Sequence, residues 1–171
     1  MKENLVCLIS GPAGAGKSSI TKALAQKFDR SAVIEVDKLR RIMVGGYVRP
    51  WPHNEETELQ LALGAKNACD IANNFLEKGC KVFIDDAIGR KRFNQYSECF
   101  KSKNFKVFLL LPSIESLLSR FDIRGKDDDL RKRTIELHDK YLKIKDELDW
   151  LVIDSSNQTL DDTVEEIYKQ L

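Results

Sequence analysis

Five short apolar runs, separated by longer stretches with helical spacing, constrain the fold of this chain more than any other feature. The runs are LVCLIS (5–10), AVIEV (32–36), KVFIDD (81–86), FKVFLLL (105–111) and WLVID (150–154). They are rich in β-branched and aromatic residues and are almost continuously apolar, which is typical of strands buried on both faces of a parallel sheet. We therefore predict a parallel sheet of five strands.

The stretches between these runs have the period of α-helices. Apolar residues recur at helical spacing in residues 17–28, 57–78 and 128–148. The three sets are Ile20, Ala23, Leu24 and Phe28; Leu59, Leu63, Ile71 and Phe75; and Leu130, Thr134, Leu137, Tyr141 and Leu148. Gly79 is placed to end the second helix, and Ser113 and Thr159 are placed to begin later ones. Strands alternating with helices predict βαβ units in one three-layer α/β domain over residues 1–171, with helices on both faces of the sheet.

The first run leads into GPAGAGKS at residues 11–18, which matches the P-loop pattern G-x-x-x-x-G-K-[ST]. Glycines let the backbone turn its N–H groups toward an anion, and the N-terminus of the next helix adds a partial positive charge. Lys17 can reach the β- and γ-phosphates of a nucleotide, and the Ser18 hydroxyl can bind Mg²⁺. We predict a P-loop NTPase fold that binds ATP and Mg²⁺. The predicted nucleotide-binding residues of this loop are Gly11, Ala13, Gly14, Ala15, Gly16, Lys17, Ser18 and Ser19.

Three acidic residues follow the ends of predicted strands. Asp37 comes after the second run, and Asp85 and Asp86 end the third. In an open α/β sheet, ligands bind beyond the carboxyl ends of the strands, where these acids and the P-loop would meet. An apolar strand that ends in Asp is typical of a carboxylate that orients a water on Mg²⁺, so we predict that Ser18 and Asp85 serve the metal. Ordinary caps between strand and loop stay open as an alternative for each acid.

The class of P-loop protein follows from what accompanies the loop. The chain has no N-K-x-D guanine motif, and 171 residues leave little room for the sensor elements of a motor ATPase. A small kinase needs an acceptor-binding segment after the second strand and a basic lid late in the chain. SRFDIRGKDDDLRKR at 119–133 fits such a lid, at about residues 120–134, with Arg120 over the nucleotide and Arg124 acting in catalysis. A solvated charge run is the alternative, because three aspartates nearly neutralise the segment.

The composition limits the partners and the compartment. The net charge is +1, which is less basic than a protein that coats duplex nucleic acid usually is. No apolar run approaches the roughly 20 residues of a spanning helix, and the first is too short for a signal peptide. The four cysteines are scattered and only two histidines occur, which favours reduced core thiols over a zinc site. We expect a cytoplasmic protein that does not bind membranes, either a monomer or a homodimer.

Four segments make the chain resemble the small P-loop kinases, which include chloramphenicol phosphotransferase, zeta-toxin kinases, gluconate kinase and the kinase half of polynucleotide kinase. They are GPAGAGKS at 11–18, DKLR at 37–40, VFIDD at 82–86 and LLLPSIESLLSRFDIRG at 109–125. The resemblance covers nearly the whole chain and implies that Asp37 is the general base for an acceptor hydroxyl and that Arg40 helps to bind the acceptor. The chain departs from gluconate kinases, since Lys38, Leu39 and Arg40 stand where those kinases tend to have a histidine.

Together these features predict an ATP-dependent kinase that transfers the γ-phosphate to a hydroxyl of a small molecule. Catalysis is assigned to Asp37, Lys17 and Arg124, and residues 154–159 are expected to contact the adenine edge. An acceptor-binding segment at about 37–56 is predicted, and the acceptor residues are Arg40, Tyr47, Arg49, Trp51 and Asp86. Two alternatives stay open: a kinase for 5′-hydroxyl ends of polynucleotides, which the neutral charge argues against, and a non-catalytic or toxin-like ATP-binding module.

Overall fold

A computed structural model describes residues 4–124 and 128–171, and the side chains of residues 121–124 lie outside the described part. Its centre is a five-stranded parallel sheet in the order β2-β3-β1-β4-β5. The strands are β1 (Leu5–Ser10), β2 (Ser31–Glu35), β3 (Lys81–Asp85), β4 (Asn104–Leu110) and β5 (Leu151–Ile153). The predicted parallel sheet of five strands is confirmed, with strand ends displaced by no more than one residue.

Helices connect the strands and cover both faces of the sheet. They are α1 (Lys17–Ala25), α2 (Val36–Arg40), α3 (Glu55–Glu77), α4 (Arg90–Cys99), α5 (Ile114–Arg124), α6 (Asp128–Ile144) and α7 (Leu160–Tyr168). The predicted helix C-terminus at Gly79 and the predicted helix N-terminus at Thr159 are confirmed. Gly79, which follows the C-cap residue Lys78 of α3, has a φ of 75°, and Thr159 forms a reciprocal capping box with Asp162 at the start of α7.

Two apolar cores lie on opposite faces of the sheet. Along β1, Val6 and Leu8 belong to one core, and Cys7 and Ile9 belong to the other. The first core is completed by α3, α4 and α6, and the second by α1, α5 and α7. Since β1 is buried on both faces, it needs the continuous apolarity that the sequence shows. The three layers place every β-strand's carboxyl end at one edge, where the P-loop follows β1.

The helix α3 packs on the sheet through a different face from the one that its large apolar residues mark. Leu59, Leu63 and Phe75 are 54%, 42% and 42% exposed. The buried face consists mainly of small residues, among them Ala65 and Ala68, both 0% exposed. Small side chains let the helix axis approach the sheet closely, so packing follows the small face and leaves the leucines at the surface.

The helix α6 also departs from the predicted set in part. Thr134 and Tyr141 are fully buried as the period predicts, but Leu130 is 40% exposed. Leu148 lies beyond the helix, which ends at Ile144. Across the described residues, no helix has the length and apolarity needed to cross a membrane.

Candidate active site

The P-loop is held in a shape that glycine permits and other residues do not. Gly11 has a φ of 145°, and a Cβ at this position would lie 2.4 Å from the carbonyl oxygen of Leu110. Gly16, with a φ of 92°, precedes α1 and has no side chain to cap that helix. The first backbone N–H groups of α1 therefore remain available to an anion. Lys17 Nζ donates to the carbonyl oxygen of Pro12 at 3.1 Å, so the ammonium lies across the loop.

Ser18 and Asp85 meet at the point where a metal would be held. The Ser18 hydroxyl donates a hydrogen bond to Asp85 Oδ2, and Asp85 is only 8% exposed. Burial raises the pKa of the Asp85 carboxyl above its ordinary value, while the Lys17 charge and the Ser18 hydrogen bond oppose the rise. A hydroxyl and a carboxylate are oxygen ligands that suit Mg²⁺, which takes one or two protein carboxylates and completes its shell with phosphates and water. The Ser18 hydroxyl and the Asp85 carboxylate therefore fit the predicted Mg²⁺.

The described residues contain no cluster of three or more His, Cys, Asp or Glu side chains that could hold a metal ion. A metal at Ser18 and Asp85 would therefore depend on the phosphates of a nucleotide for much of its coordination.

Asp86, the next residue, has a partner that the sequence does not indicate. The hydroxyl of Tyr96 on α4 donates to Asp86 Oδ2 at 2.8 Å, and Tyr96 is 0% exposed. Burial raises the pKa of Asp86 to about 7, the Tyr96 hydrogen bond opposes this, and the charges of Asp37 and Asp85 add to the rise. Three carboxylates therefore interact at this edge of the sheet.

Asp37 and Arg40 form an ion pair on the short helix α2. Arg40 Nη1 lies 3.5 Å from Asp37 Oδ1, and the side chains are 2% and 76% exposed, respectively. The arginine is therefore buried while the carboxylate reaches solvent. Arg40 Nη2 also donates to the carbonyl oxygen of Val48 at 3.3 Å, and its guanidinium lies 5.7 Å from the ring centre of Tyr47. The structure thus brings together Asp37, Arg40 and Tyr47, and their role in binding an acceptor stays a prediction.

The burial of Arg40 depends on a glycine of α3. A Cβ at Gly64 would lie 2.7 Å from Arg40 Cγ and 3.2 Å from Arg40 Cδ. The aliphatic part of Arg40 therefore runs along the bare backbone of α3. A cavity of about 250 Å³ adjoins this contact and is lined by Leu39, Arg40, Ile42, Met43, Gln60, Leu63, Gly64 and Asn67.

Gln60 fixes the loop between α2 and α3, and sequence reasoning missed it. Gln60 is 3% exposed. It accepts a hydrogen bond from the Val48 N–H at 3.0 Å and donates one to the Gly46 carbonyl at 2.7 Å. Of the other predicted acceptor residues, Arg49 is exposed and Trp51 half-buried. Within the described chain, no hydrogen bond or ring contact joins these two to Arg40.

A second group that the sequence analysis missed joins α3 to α4. Glu58 on α3 pairs with Arg92 and, at 2.6 Å, with Lys91 at the start of α4. His53 Nε2 lies 3.5 Å from the same carboxylate. Arg92 is 8% exposed, so this cluster fixes the relative position of α3 and of α4, the helix that carries Tyr96. No local spacing links Glu58 to residue 92, which explains why a motif search does not find it.

A cavity of about 300 Å³ lies against the P-loop. Its lining residues are Gly14, Ala15, Gly16, Ser19, Ile20, Arg120, Ser155, Gln158, Thr159, Leu160 and Thr163. Arg120 Nη2 donates to the carbonyl oxygen of Ser155 at 2.8 Å and so joins α5 to the segment after β5. The P-loop, Arg120 and part of the predicted adenine-contacting segment 154–159 therefore share one cavity.

The lid prediction lies only partly within the described structure. Arg120 and Arg124 are one turn apart on α5 as expected, but the side chain of Arg124 lies outside the described residues. Both the backbone and the side chain of Lys126 lie outside the described residues. From Asp128 the chain is helical, in α6, and Arg133 Nη1 lies 3.8 Å from Glu136 of the same helix. Of the two lid arginines with predicted roles, Arg120 and Arg124, Arg120 is therefore the one whose side-chain contacts the structure describes.

The known proteins whose sequences are similar to this chain include kinases. The chain is 29% identical to a guanylate kinase from Idiomarina loihiensis, over 71% of this chain and 65% of that relative. It is 28% identical to a probable thymidylate kinase from Methanocaldococcus jannaschii, over 98% of this chain and 95% of that relative. No family model matches the chain. These similarities support an ATP-dependent phosphotransferase of the P-loop kinase group. They do not select the chloramphenicol phosphotransferase-like or any other subfamily.

Comparison with solved structures shows the fold. A shikimate kinase from Bacteroides thetaiotaomicron superimposes with a TM-score of 0.71 at 14% identity, over 97% of each chain. A gluconokinase from Sinorhizobium meliloti 1021 superimposes with a TM-score of 0.69 at 19% identity, over 96% of this chain and 90% of that one. The predicted three-layer α/β P-loop fold is confirmed.

Proposed function

We propose that this protein transfers the γ-phosphate of ATP to a hydroxyl of a small molecule. The observation that carries the proposal is the position of Asp37. Its carboxylate is 76% exposed, is paired with a buried arginine, and raises the pKa of Asp85 and Asp86. An accessible carboxylate that interacts with the residues around the P-loop is suited to accept a proton from a bound alcohol.

The nucleotide would be bound by the P-loop and the cavity beside it. The free N–H groups at the start of α1 and the Lys17 ammonium would hold the phosphates, with Arg120 at the wall of the same cavity. Ser18 and Asp85 would hold Mg²⁺, which when bound neutralises part of the charge on the β- and γ-phosphates. Phosphoryl transfer depends mainly on positioning and electrostatic stabilisation, and the predicted role of Arg124 belongs to the second of these.

Asp37 would act on the acceptor. Its Oδ atoms would accept the hydroxyl proton as the acceptor oxygen attacks the phosphorus in line with the leaving group. Arg40 would hold this carboxylate in place, because its Nη1 atom lies 3.5 Å from Asp37 Oδ1 and its side chain is itself fixed by burial. Tyr47, which packs on Arg40, and Asp86 would form part of the acceptor site, with Arg49 and Trp51 farther along the same segment.

A second candidate function is a kinase for nucleoside monophosphates. The names of the curated relatives favour it, since guanylate and thymidylate are themselves phosphate esters. A phosphate acceptor is already ionised at neutral pH and needs no base to remove a proton. The role of Asp37 therefore separates the two functions. The 5′-hydroxyl polynucleotide kinase and the toxin-like module stay as outcomes of the same test.

The test is ATP consumption with two panels of acceptors, one of sugars, polyols, hydroxyl-bearing antibiotics and a 5′-hydroxyl oligonucleotide, and one of nucleoside monophosphates. The variants are Asp37→Asn and, as a matched control, Asp70→Asn, which removes an exposed carboxylate paired with Lys66. For a hydroxyl acceptor, we expect Asp37→Asn to lower kcat about 10²- to 10⁴-fold and to leave the affinity for ATP unchanged. The control should resemble the wild type.

Full turnover of a hydroxyl acceptor by Asp37→Asn would refute the assignment of the base. Turnover of a nucleoside monophosphate alone, with little effect of the substitution on kcat, would establish the second function instead. Transfer to a 5′-hydroxyl oligonucleotide, or ATP hydrolysis with no acceptor in either panel, would identify the polynucleotide kinase or the toxin-like module.

A further inference from the structure

The fold brings together two of the four cysteines, although they lie far apart in the sequence. Cys69 on α3 is 6% exposed and belongs to the first core. Cys99, the last residue of α4, is half-buried and packs against the same core. The two thiols are close enough to form a hydrogen bond with each other, whereas Cys7 lies in the core on the opposite face of the sheet. Cys69 and Cys99 are therefore a pair of thiols between two helices.

A second contact holds the sulfur of Cys99 against α3. Asn73 follows Cys69 by one helical turn, so the two side chains lie on the same face of α3. The Nδ2 atom of Asn73 donates a hydrogen bond to Cys99 Sγ at 3.9 Å. The ion pair between Glu58 and Arg92 joins the same two helices at another point. The position of the Cys99 sulfur beside Cys69 is therefore set by the packing of α3 on α4.

The surroundings of Cys69 do not stabilise a thiolate. Burial raises the pKa of the Cys69 thiol well above its ordinary value, and the hydrogen bond with Cys99 adds to the rise. Disulfides are reduced most readily where the protein stabilises the reduced form, as it does for a thiolate of low pKa. Because Cys69 lacks this stabilisation, a disulfide at this position would not be drawn back to the reduced form in that way.

We propose that Cys69 and Cys99 are a modification site, at which a low-molecular-weight disulfide such as oxidised glutathione forms an intramolecular disulfide between α3 and α4. The more exposed Cys99 reacts first: its thiolate attacks one sulfur of the oxidant, and one glutathione leaves as a thiolate. Cys69 then loses its proton and attacks the Cys99 sulfur of the mixed disulfide, which releases the second glutathione. The electron pair and the two protons that the protein thiols lose are taken up by the two glutathione thiols.

The new bond would restrain the part of the chain that carries the acids after β3. It closes a loop over residues 69–99, which contains β3, Asp85 and Asp86. Tyr96, whose hydroxyl donates to Asp86 at 2.8 Å, lies one turn before Cys99. Closing a loop removes conformational freedom from the unfolded chain, so the oxidised protein should be more stable than the reduced one.

The test is peptide mapping of the full chain after incubation with oxidised glutathione and alkylation of the remaining thiols. Trypsin places Cys69 in the peptide 67–78 and Cys99 in the peptide 93–101, each with one cysteine. Mass spectrometry without reduction should find these two peptides linked. Cys80→Ser, at another half-buried cysteine, is the matched control and should give the same link, whereas Cys99→Ser should abolish it. Protein oxidised in concentrated urea should give a mixture of pairs instead, because the fold no longer selects one.

A thermal melt gives a second readout. Oxidation should raise the Tm of the wild type and of Cys80→Ser by about 5–10 °C. Dithiothreitol should reverse the rise, and Cys99→Ser should show none. An increase that depends on Cys99 distinguishes the disulfide from a general effect of the oxidant.

Four results would overturn the inference: thiols that do not react in the folded protein, glutathione that stays on Cys99 while Cys69 remains free, a prevailing link between Cys99 and Cys80, or a lowered Tm of the linked protein. The experiment uses neither nucleotide nor acceptor, so its outcome is independent of the proposed function. Loss of phosphoryl transfer in every acceptor assay would leave the disulfide unaffected.

Discussion

Replacing Asp86 with asparagine should stabilise the ligand-free protein, and should do so more at high pH than at low pH. The fold raises the pKa of this carboxyl from 3.8 to about 7. The folded protein therefore favours the protonated group, and stability is lost as the pH rises from about 4 toward the folded pKa. Asparagine has no charge at any of these pH values. Its side-chain oxygen can still accept the hydrogen bond from Tyr96.

The magnitude follows from the pKa values. At 1.36 kcal/mol for each pKa unit, the rise from 3.8 to about 7 corresponds to about 4 kcal/mol at pH 8. At pH 5 the same pair of pKa values gives about two-fifths of that. Asp86 keeps some exposure to solvent, so we expect a gain of about 2 kcal/mol at pH 8 and about 1 kcal/mol at pH 5.

The assay is urea unfolding at pH 5 and pH 8 in buffer with EDTA, so that no divalent ion binds at the neighbouring Asp85. The midpoint should rise for Asp86→Asn, more at pH 8, with an unchanged m-value. Asp70→Asn, at an exposed carboxylate of α3, serves as the control and should shift little at either pH. An equal gain at the two pH values, or a loss at pH 8, would refute the reasoning about the buried charge.

The remaining predictions concern the P-loop and the acceptor segment. Lys17→Ala should lower the affinity for ATP at least about tenfold, measured by calorimetry, because a charge-assisted contact with the phosphates is lost; wild-type affinity would exclude the proposed cradle. Gly64→Ala should destabilise the protein by about 1–3 kcal/mol in urea unfolding, because its Cβ meets Arg40, whereas Gly45→Ala, which meets nothing within 4 Å, should be nearly neutral. Gln60→Ala should lower the free energy of unfolding by about 2 kcal/mol, since it leaves the backbone groups of Gly46 and Val48 unpaired; an unchanged urea midpoint would show that these two hydrogen bonds are dispensable.

Features that are encoded locally could be predicted from the sequence. The P-loop pattern and the run LVCLIS are contiguous, and β1 is found at the predicted residues, Leu5–Ser10. The second run was expected to continue to residue 36, but Val36 begins α2. Strand and helix patterns of a few apolar residues overlap, so the boundary between them depends on packing that the sequence alone does not display.

Contacts between distant residues that belong to no sequence motif could not be predicted. Tyr96 binds Asp86 from another element, and Gln60 holds the backbone at Gly46 and Val48 across a loop. Neither contact has a fixed spacing that could serve as a motif. The prediction of the buried face of α3 failed for a different reason. The pattern of hydrophobic residues predicted that its large side chains are buried. In the structure the buried side chains are Ala65 and other small residues, because they allow the helix to pack closely on the sheet.

The contact between Arg40 and Gly64 has a consequence for how related sequences can vary. The space beside the α3 backbone is occupied by the Cγ and Cδ atoms of Arg40, so the two positions share one volume. A long side chain at position 40 requires glycine at position 64, and a larger residue at 64 requires a shorter one at 40. Descendants of this chain should therefore exchange residues at these positions in pairs. The identity of position 64 would then report whether a relative retains a buried cation beside Asp37.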